Sequence, residues 1–279
     1  MKKVAAIHDM SGFGRCSLTI ILPVLSAMGI QVCPVPTAVL ATHTGGFGEV
    51  VMQDLTDFIP ACLEKYKALG IEFDAVYSGF LASEKQIDHC LDFFKSYGGA
   101  LKIADPVMGD HGRVYSTYTE KMCERMRELA GAADVITPNL TEAAILLKED
   151  YTPRLSQEKA REWALRLREL AENVVITGVN IFEGKISVVG ANKDGVWQTD
   201  RDYIPENYPG TGDLYASVLT GGLLRGESFQ KAAARAATFT KEVIKATFEK
   251  KTPPRNGVIF EEKLHLLASD NFISDYNEF

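Results

Sequence analysis

Four short runs in this sequence, Ala75–Ser78, Leu101–Ala104, 135–137 and 174–177, are almost entirely apolar and show no polar alternation. A strand with one wet face alternates, whereas a strand buried on both faces does not. These runs therefore predict a parallel sheet covered by helices on each side. Segments with helical spacing lie between them. In 156–172, residues Ala160, Trp163, Ala164, Leu167, Leu170 and Ala171 fall on one face and Arg or Glu on the rest. Segments 17–28 and 55–69 read as helices closed by Gly29 and Gly70. Strands are also predicted at 4–7, 31–35 and 38–40, with a hairpin pairing 185–191 and 195–198 across residues 192–195. Strands alternating with helices of this length form βαβ units, so the expected class is α/β. No linker, repeat or low-complexity tract interrupts residues 1–279, and a single domain of that length can bury a large core.

Charge and cysteine content exclude several roles. With 30 Lys and Arg against 37 Asp and Glu, the net charge is −7. That balance argues against a nucleic-acid or anionic-membrane surface but allows a local basic pocket. Cys16, Cys33, Cys62, Cys90 and Cys123 are scattered, odd in number and without a CxxC pair, as in a reduced cytoplasmic protein. The opening MKKVAAIHDM lacks the apolar core of a signal peptide, and no run approaches the roughly 20 residues of a membrane span.

In open α/β sheets ligands bind beyond the carboxyl ends of the strands. Here those ends are followed by Asp9 with the turn Ser11-Gly12-Phe13-Gly14, by His43-Thr44-Gly45-Gly46, Gly79-Phe80, Asp105-Pro106, Pro138-Asn139 and Gly178. If the sheet is as predicted, all of them meet on one rim. Gly210-Thr211-Gly212-Asp213 opens a helical run containing Leu214, Val218, Leu219 and Leu223. Unpaired first-turn amides and the helix dipole suit developing negative charge on a transferred phosphoryl group. Asp213, in that first turn, could take the proton of an attacking alcohol, although glycine followed by an acidic helix start is also a common turn. Asp105 could bind a hydrated cation beside phosphates, or could simply begin an Asp-Pro turn. Asn139-Leu140-Thr141-Glu142 has the spacing of a capping box. For a flat aromatic acceptor, Phe80 offers stacking, and Asp9, Ser11, His43 and Thr44 offer hydrogen bonds.

Taken in order, these segments resemble the ribokinase-like superfamily and, within it, the pyridoxal kinases. The resemblance spans nearly the whole chain. It rests on the first glycine turn, Thr42-His43-Thr44-Gly45, Ser78-Gly79-Phe80, residues 104–110, residues 136–143, Val175-Ile176-Thr177 and Gly210-Thr211-Gly212-Asp213-Leu214. It implies a three-layer α/β sandwich and ATP-dependent phosphorylation of the hydroxymethyl group of pyridoxal, pyridoxine or pyridoxamine. Asp213 would be the base, and the amides of Gly210, Thr211, Gly212 and Asp213 the anion hole. Asp105, Asp110, Tyr115, Thr137, Asn139 and Thr177 would face ATP, while Asp105 and Glu142 would hold Mg2+, Glu142 through water. Thr44 and Phe80 would touch the vitamer. Residues 111–118 would form a lid hinged at Gly109 and Gly112, and Thr137 and Thr177 would also suit a monovalent cation such as K+. The resemblance further implies a homodimer. Adenine contacts are placed at Val243 and the 253–258 loop.

Two features point to other enzymes. An aspartate at position 9 resembles the hydroxymethylpyrimidine kinases of thiamine synthesis, whereas Thr42-His43-Thr44-Gly45, Asp110 and Tyr115 resemble pyridoxal kinases. Gly12-Phe13-Gly14 after the first strand suggests a dinucleotide-binding oxidoreductase. However, Ser17 replaces the third glycine, and no acidic residue occurs in 31–40. No GxxxxGK[ST] motif is present, which excludes a P-loop kinase.

Overall fold

Strand β1 (Lys3–Phe13) sends Val4 and Ala6 into one apolar cluster and Ala5 and Ile7 into another. This division is the physical content of the non-alternating apolar runs, since both faces of the strand are interior. The computed structural model describes residues 1–116, 118–268 and 277–278. Along the chain follow α1 (Leu18–Ala27), β2 (Gln31–Thr42), β3 (Met52–Asp54), α2 (Phe58–Ala68), β4 (Ala75–Ser78), α3 (Glu84–Ser96) and β5 (Leu101–Ala104). A small hairpin, β6 (Gly109–Asp110) and β7 (Arg113–Val114), precedes α4 (Glu120–Gly131), β8 (Val135–Ile136), α5 (Leu140–Leu147) and α6 (Gln157–Leu167). The chain continues through β9 (Asn173–Val179), β10 (Lys185–Asn192), β11 (Gly195–Asp202), α7 (Thr211–Leu224), α8 (Phe229–Lys250) and β12 (Asn277–Glu278).

The described strands form a ten-stranded sheet in the order β12-β11-β10-β9-β8-β5-β4-β1-β2-β3, with β6 and β7 apart. From β2 to β9 every pairing is parallel; β3, β10, β11 and β12 add antiparallel edges. Helices α1, α7 and α8 cover one face and α2 to α6 the other, giving the expected three layers. Ser83, Thr119, Ser156 and Ser228 cap their helices by accepting a first-turn amide, which fixes where each crossover begins.

Several boundaries differ from expectation, and three of the differences have a clear origin. The stretch Ser11-Gly12-Phe13 is not a turn but the end of β1, paired with β2 to Thr42. The predicted strands 31–35 and 38–40 are one strand, although Pro34 and Pro36 lie within it. Those prolines are two residues apart and so point their missing N–H groups the same way. Because β3 pairs only with Ala38 to Leu40, the lost donors fall on an open edge. Helix α6 ends at Leu167, five residues short of the predicted end at 172, with Arg168 as its cap.

Candidate active site

The carboxyl ends of β1, β4, β5, β8 and β9 do converge on one rim, where α7 begins. Gly210, at the N-cap of α7, has φ of 81°. An added Cβ would lie 2.1 Å from the Arg15 carbonyl oxygen and 2.7 Å from Ile20 Cδ1, so only glycine fits. No side chain caps this helix, which leaves the first-turn amides free to meet an anion. Beside the turn lies a cavity of about 400 Å3, and its wall includes Asp105, Asp110, Tyr115, Thr137, Asn139, Glu142, Thr177 and all of Gly210 to Asp213. The structure thus gathers the residues predicted to face the nucleotide, the metal and the phosphoryl group.

Asp213 is held from behind. Its Oδ2 accepts the Ser17 amide at 2.7 Å, and its Oδ1 lies 3.0 Å from His8 Nε2. Asp105 is buried nearby: a Cβ on Gly212 would sit 3.8 Å from Asp105 Oδ2. Burial, and then the charge of Asp213, push the Asp105 carboxyl up to about 7 against the opposing pull of His8. Glu142 is raised as well, by burial and by the charge of Asp105.

Asn139 and Glu142 do form the predicted capping box. Asn139 Oδ1 accepts the amides of Thr141 and Glu142 at 2.8 and 3.0 Å, and Glu142 Oε2 accepts the Asn139 amide at 2.8 Å. The same turn grips the β6–β7 hairpin. Asn139 Nδ2 donates to the Gly109 carbonyl at 2.8 Å, the Gly112 amide donates to Thr141 Oγ1 at 2.9 Å, and the Met108 amide donates to Glu142 Oε1 at 3.1 Å. The predicted lid is therefore a hairpin anchored to α5, and Tyr115 beyond it lines the cavity. Thr117, within that segment, lies outside the described residues. The expected hinge glycines are packed rather than loose. A Cβ on Gly109 would meet the Arg113 carbonyl oxygen at 2.3 Å, and one on Gly112 would meet the Tyr151 ring at 2.5 Å.

The acceptor candidates are arranged differently, and none lines this cavity. Asp9 Oδ1 accepts Ser17 Oγ at 2.6 Å and lies 2.9 Å from His8 Nδ1, while its Oδ2 accepts Ser11 Oγ at 3.0 Å. The hydrogen bond expected from Asp9 to a ring nitrogen is thus spent inside the protein, because His8 and two serines surround the carboxylate. His43 is also satisfied internally. Its Nδ1 accepts the Gly45 amide at 3.0 Å, so Nε2 carries the proton and donates to the Arg255 carbonyl at 2.6 Å. Its ring packs edge-on against Phe47 at 4.9 Å, where Arg255 also stacks at 5.4 Å. Thr44 is exposed, and half-buried Phe80 tilts against Tyr118 at 6.2 Å.

The residues expected to contact adenine do not line this cavity. Val243 is wholly buried in the core beneath α8, and the 253–258 loop bonds to Arg15 and His43 on the acceptor side. The cavity wall instead contains Ile186, Val188, Ala237, Thr240 and Ile244, from β10 and α8. Val243 faces away from the cavity while its neighbour Ile244 faces in, because adjacent helix positions point about 100° apart. His8 and Ser17 were also overlooked as site residues. A histidine directly after the apolar run 4–7 and beside an aspartate was the available signal.

Comparison with known proteins now has geometry to stand on. Residues 22–256 match the family described as phosphomethylpyrimidine kinase. The chain belongs to that family. A pyridoxal kinase PdxY of Haemophilus influenzae is 30% identical over 269 residues, covering 89% of this chain and 90% of its own length. A Bacteroides thetaiotaomicron crystal structure, assigned as a phosphomethylpyrimidine kinase and containing pyridoxal, is 41% identical with a TM-score of 0.94, over 100% of this chain and 99% of that one. Pyridoxal kinase from Lactobacillus plantarum is 29% identical with a TM-score of 0.89, over 96% of both chains. The family thus spans both vitamin chemistries that the sequence suggested, on a shared ribokinase-like fold.

Proposed function

We propose that this chain is a kinase that moves the γ-phosphoryl group of ATP to the hydroxymethyl oxygen of a B6 vitamer: pyridoxal, pyridoxine or pyridoxamine. The observation that carries this reading is Asp213, buried in the first turn of an uncapped helix at the wall of a nucleotide-sized cavity. The acceptor oxygen attacks the γ-phosphorus in line, the bond to the β-phosphate oxygen breaks to release ADP, and Asp213 takes the hydroxyl proton. The first-turn amides stabilise the transferred group, and most of the catalysis is positioning and charge stabilisation. The names of the PdxY relatives and the pyridoxal in the Bacteroides structure favour a B6 vitamer.

The donor set fits Mg2+. Asp105 and Glu142 are two buried carboxylates with raised pKa values, a surplus of negative charge that a divalent cation would relieve. Among the described residues no three His, Cys, Asp or Glu side chains gather into a cage, which suits an ion that keeps waters and takes phosphate oxygens. Asp105 would hold it directly and Glu142 through water, since amides already occupy both Glu142 oxygens. The ion would neutralise phosphate charge. A K+ site beside Thr137 and Thr177 belongs to the same reading, since both residues line the cavity.

A homodimer is supported by exposed apolar side chains at the free edge of β1 to β3: Met10, Phe13, Val39, Val51 and Met52. No helix among the described residues is long and apolar enough to cross a membrane. All five cysteines are free thiols, which fits the reducing cytoplasm.

One assay tests the reading: ADP release with Mg·ATP and each of pyridoxal, pyridoxine, pyridoxamine and hydroxymethylpyrimidine. Turnover of any B6 vitamer above the pyrimidine supports it. Turnover of the pyrimidine alone favours the second reading, a hydroxymethylpyrimidine kinase, for which the family match and Asp9 speak.

A further inference from the structure

His8 is a titratable side chain with 2% exposure that touches the candidate base, and the reaction as described gives it no task. Its two ring nitrogens face two carboxylates: Nδ1 is 2.9 Å from Asp9 Oδ1 and Nε2 is 3.0 Å from Asp213 Oδ1. An ionised carboxylate only accepts, so a ring bonded to both must donate from both nitrogens. The amides of Asp9 and Phe80 also approach those nitrogens, at 3.0 and 3.2 Å. A nitrogen that carries a proton has no lone pair left for an amide, and the charge-assisted bonds to the two carboxylates are the stronger pair.

The surroundings are shaped to this ring. Gly79 follows β4, and a Cβ there would lie 1.9 Å from His8 Cδ2 and 2.1 Å from His8 Nε2. Asp9 is fixed in turn by Ser11 and Ser17. Ser17 has φ of 60°, in the left-handed region that a non-glycine residue adopts at a cost. That conformation lets one residue donate its hydroxyl to Asp9 and its amide to Asp213.

We propose that His8 is the positioning residue for Asp213: backed by Asp9 and admitted by Gly79, its imidazole donates to Asp213 Oδ1 and holds the carboxylate aimed at the acceptor hydroxyl. The inference rests on the reading of Asp213 as the base. The charged and titratable groups around the ring are Asp9 on its own strand, Asp213 from α7, Cys16 and Asp105 near those carboxylates, and Tyr77 from β4, edge-on at 6.5 Å. Burial works against the charged ring. The charges and hydrogen bonds of Asp213 and Asp9 outweigh it and push His8 up to about 10.

The test measures kcat, KM and the pH profile of kcat for His8→Gln and Gly79→Ala, using pyridoxal and Mg·ATP, with folding checked by thermal melting. Gly79→Ala displaces the ring without removing an ionisable group. Both folded variants should lose roughly 10- to 100-fold in kcat with KM for ATP within about two-fold. Wild-type kcat should fall as His8 loses its charge near pH 10, and in His8→Gln that alkaline limb should be missing, a change that a purely structural role would not cause. If folded His8→Gln keeps the wild-type kcat and alkaline limb, the inference is overturned. Asp213→Ala separates the two ideas. Wild-type turnover in that variant sinks the base assignment itself, whereas its inactivity beside a normal His8→Gln sinks only the role of His8.

Discussion

The two sides of Asp213 are built on opposite principles. Toward the cavity, the wall is a helix start whose amides have no side-chain cap. Behind it, His8, Asp9, Ser11 and Ser17 are buried and hydrogen-bond one another. The open side stores binding capacity by leaving donors unsatisfied. The closed side spends that capacity internally, and gains a carboxylate fixed in one orientation. A phosphoryl-transfer site needs both, since the transferred group must arrive and leave while the base must not move.

The comparison is broken most directly at its shared residue. Asp213→Ala should lower kcat by about 100- to 10,000-fold while ATP binding, followed by calorimetry, persists. Next comes the open side. Gly210→Ala forces a Cβ to within 2.1 Å of the Arg15 carbonyl and holds alanine at φ of 81°. It should cut kcat by about 100-fold and cost roughly 1–3 kcal/mol of stability in urea titrations. An unchanged kcat would mean that the turn tolerates displacement and is no anion hole.

A smaller effect is expected from the closed side as pH changes. His8 titrates near 6.5 when unfolded and near 10 in the fold. A raised pKa gives stability that is complete below about 6.5 and is lost as pH climbs through about 10. The stability gap between wild type and His8→Gln should therefore narrow steadily from about pH 6 to about pH 10, and a constant gap would show that the ring carries no charge. The smallest effect concerns the lid anchor. Asn139→Ala removes the cap of α5 and the bond to Gly109, and should cost about 1 kcal/mol with a raised KM for ATP. If KM stays put, the hairpin does not depend on α5.

The cavity side was the more legible in sequence. Asp105, Asn139, Thr177 and Gly210 to Asp213 follow buried strands or open a helix, and that local syntax holds wherever the chain runs. The closed side was not legible. Asp9 and His43 carry hydrogen-bonding groups that suit a vitamer equally well, and only their neighbours decide what those groups meet. Ser17 read merely as a missing third glycine, yet its left-handed backbone joins Asp9 to Asp213. The prolines of β2 split a strand on paper that the open sheet edge keeps whole.

By itself, then, the sequence determined the layered α/β architecture, the rim of strand ends and the phosphate turn, because periodicity, glycine placement and capping act within a few residues. The tertiary structure decided which carboxylates face a ligand and which face one another. His8 and Asp213 are 205 positions apart in the chain, yet their side chains meet at 3.0 Å. No local pattern encodes that meeting; it follows from packing β1 beside β4, with α7 laid across their ends.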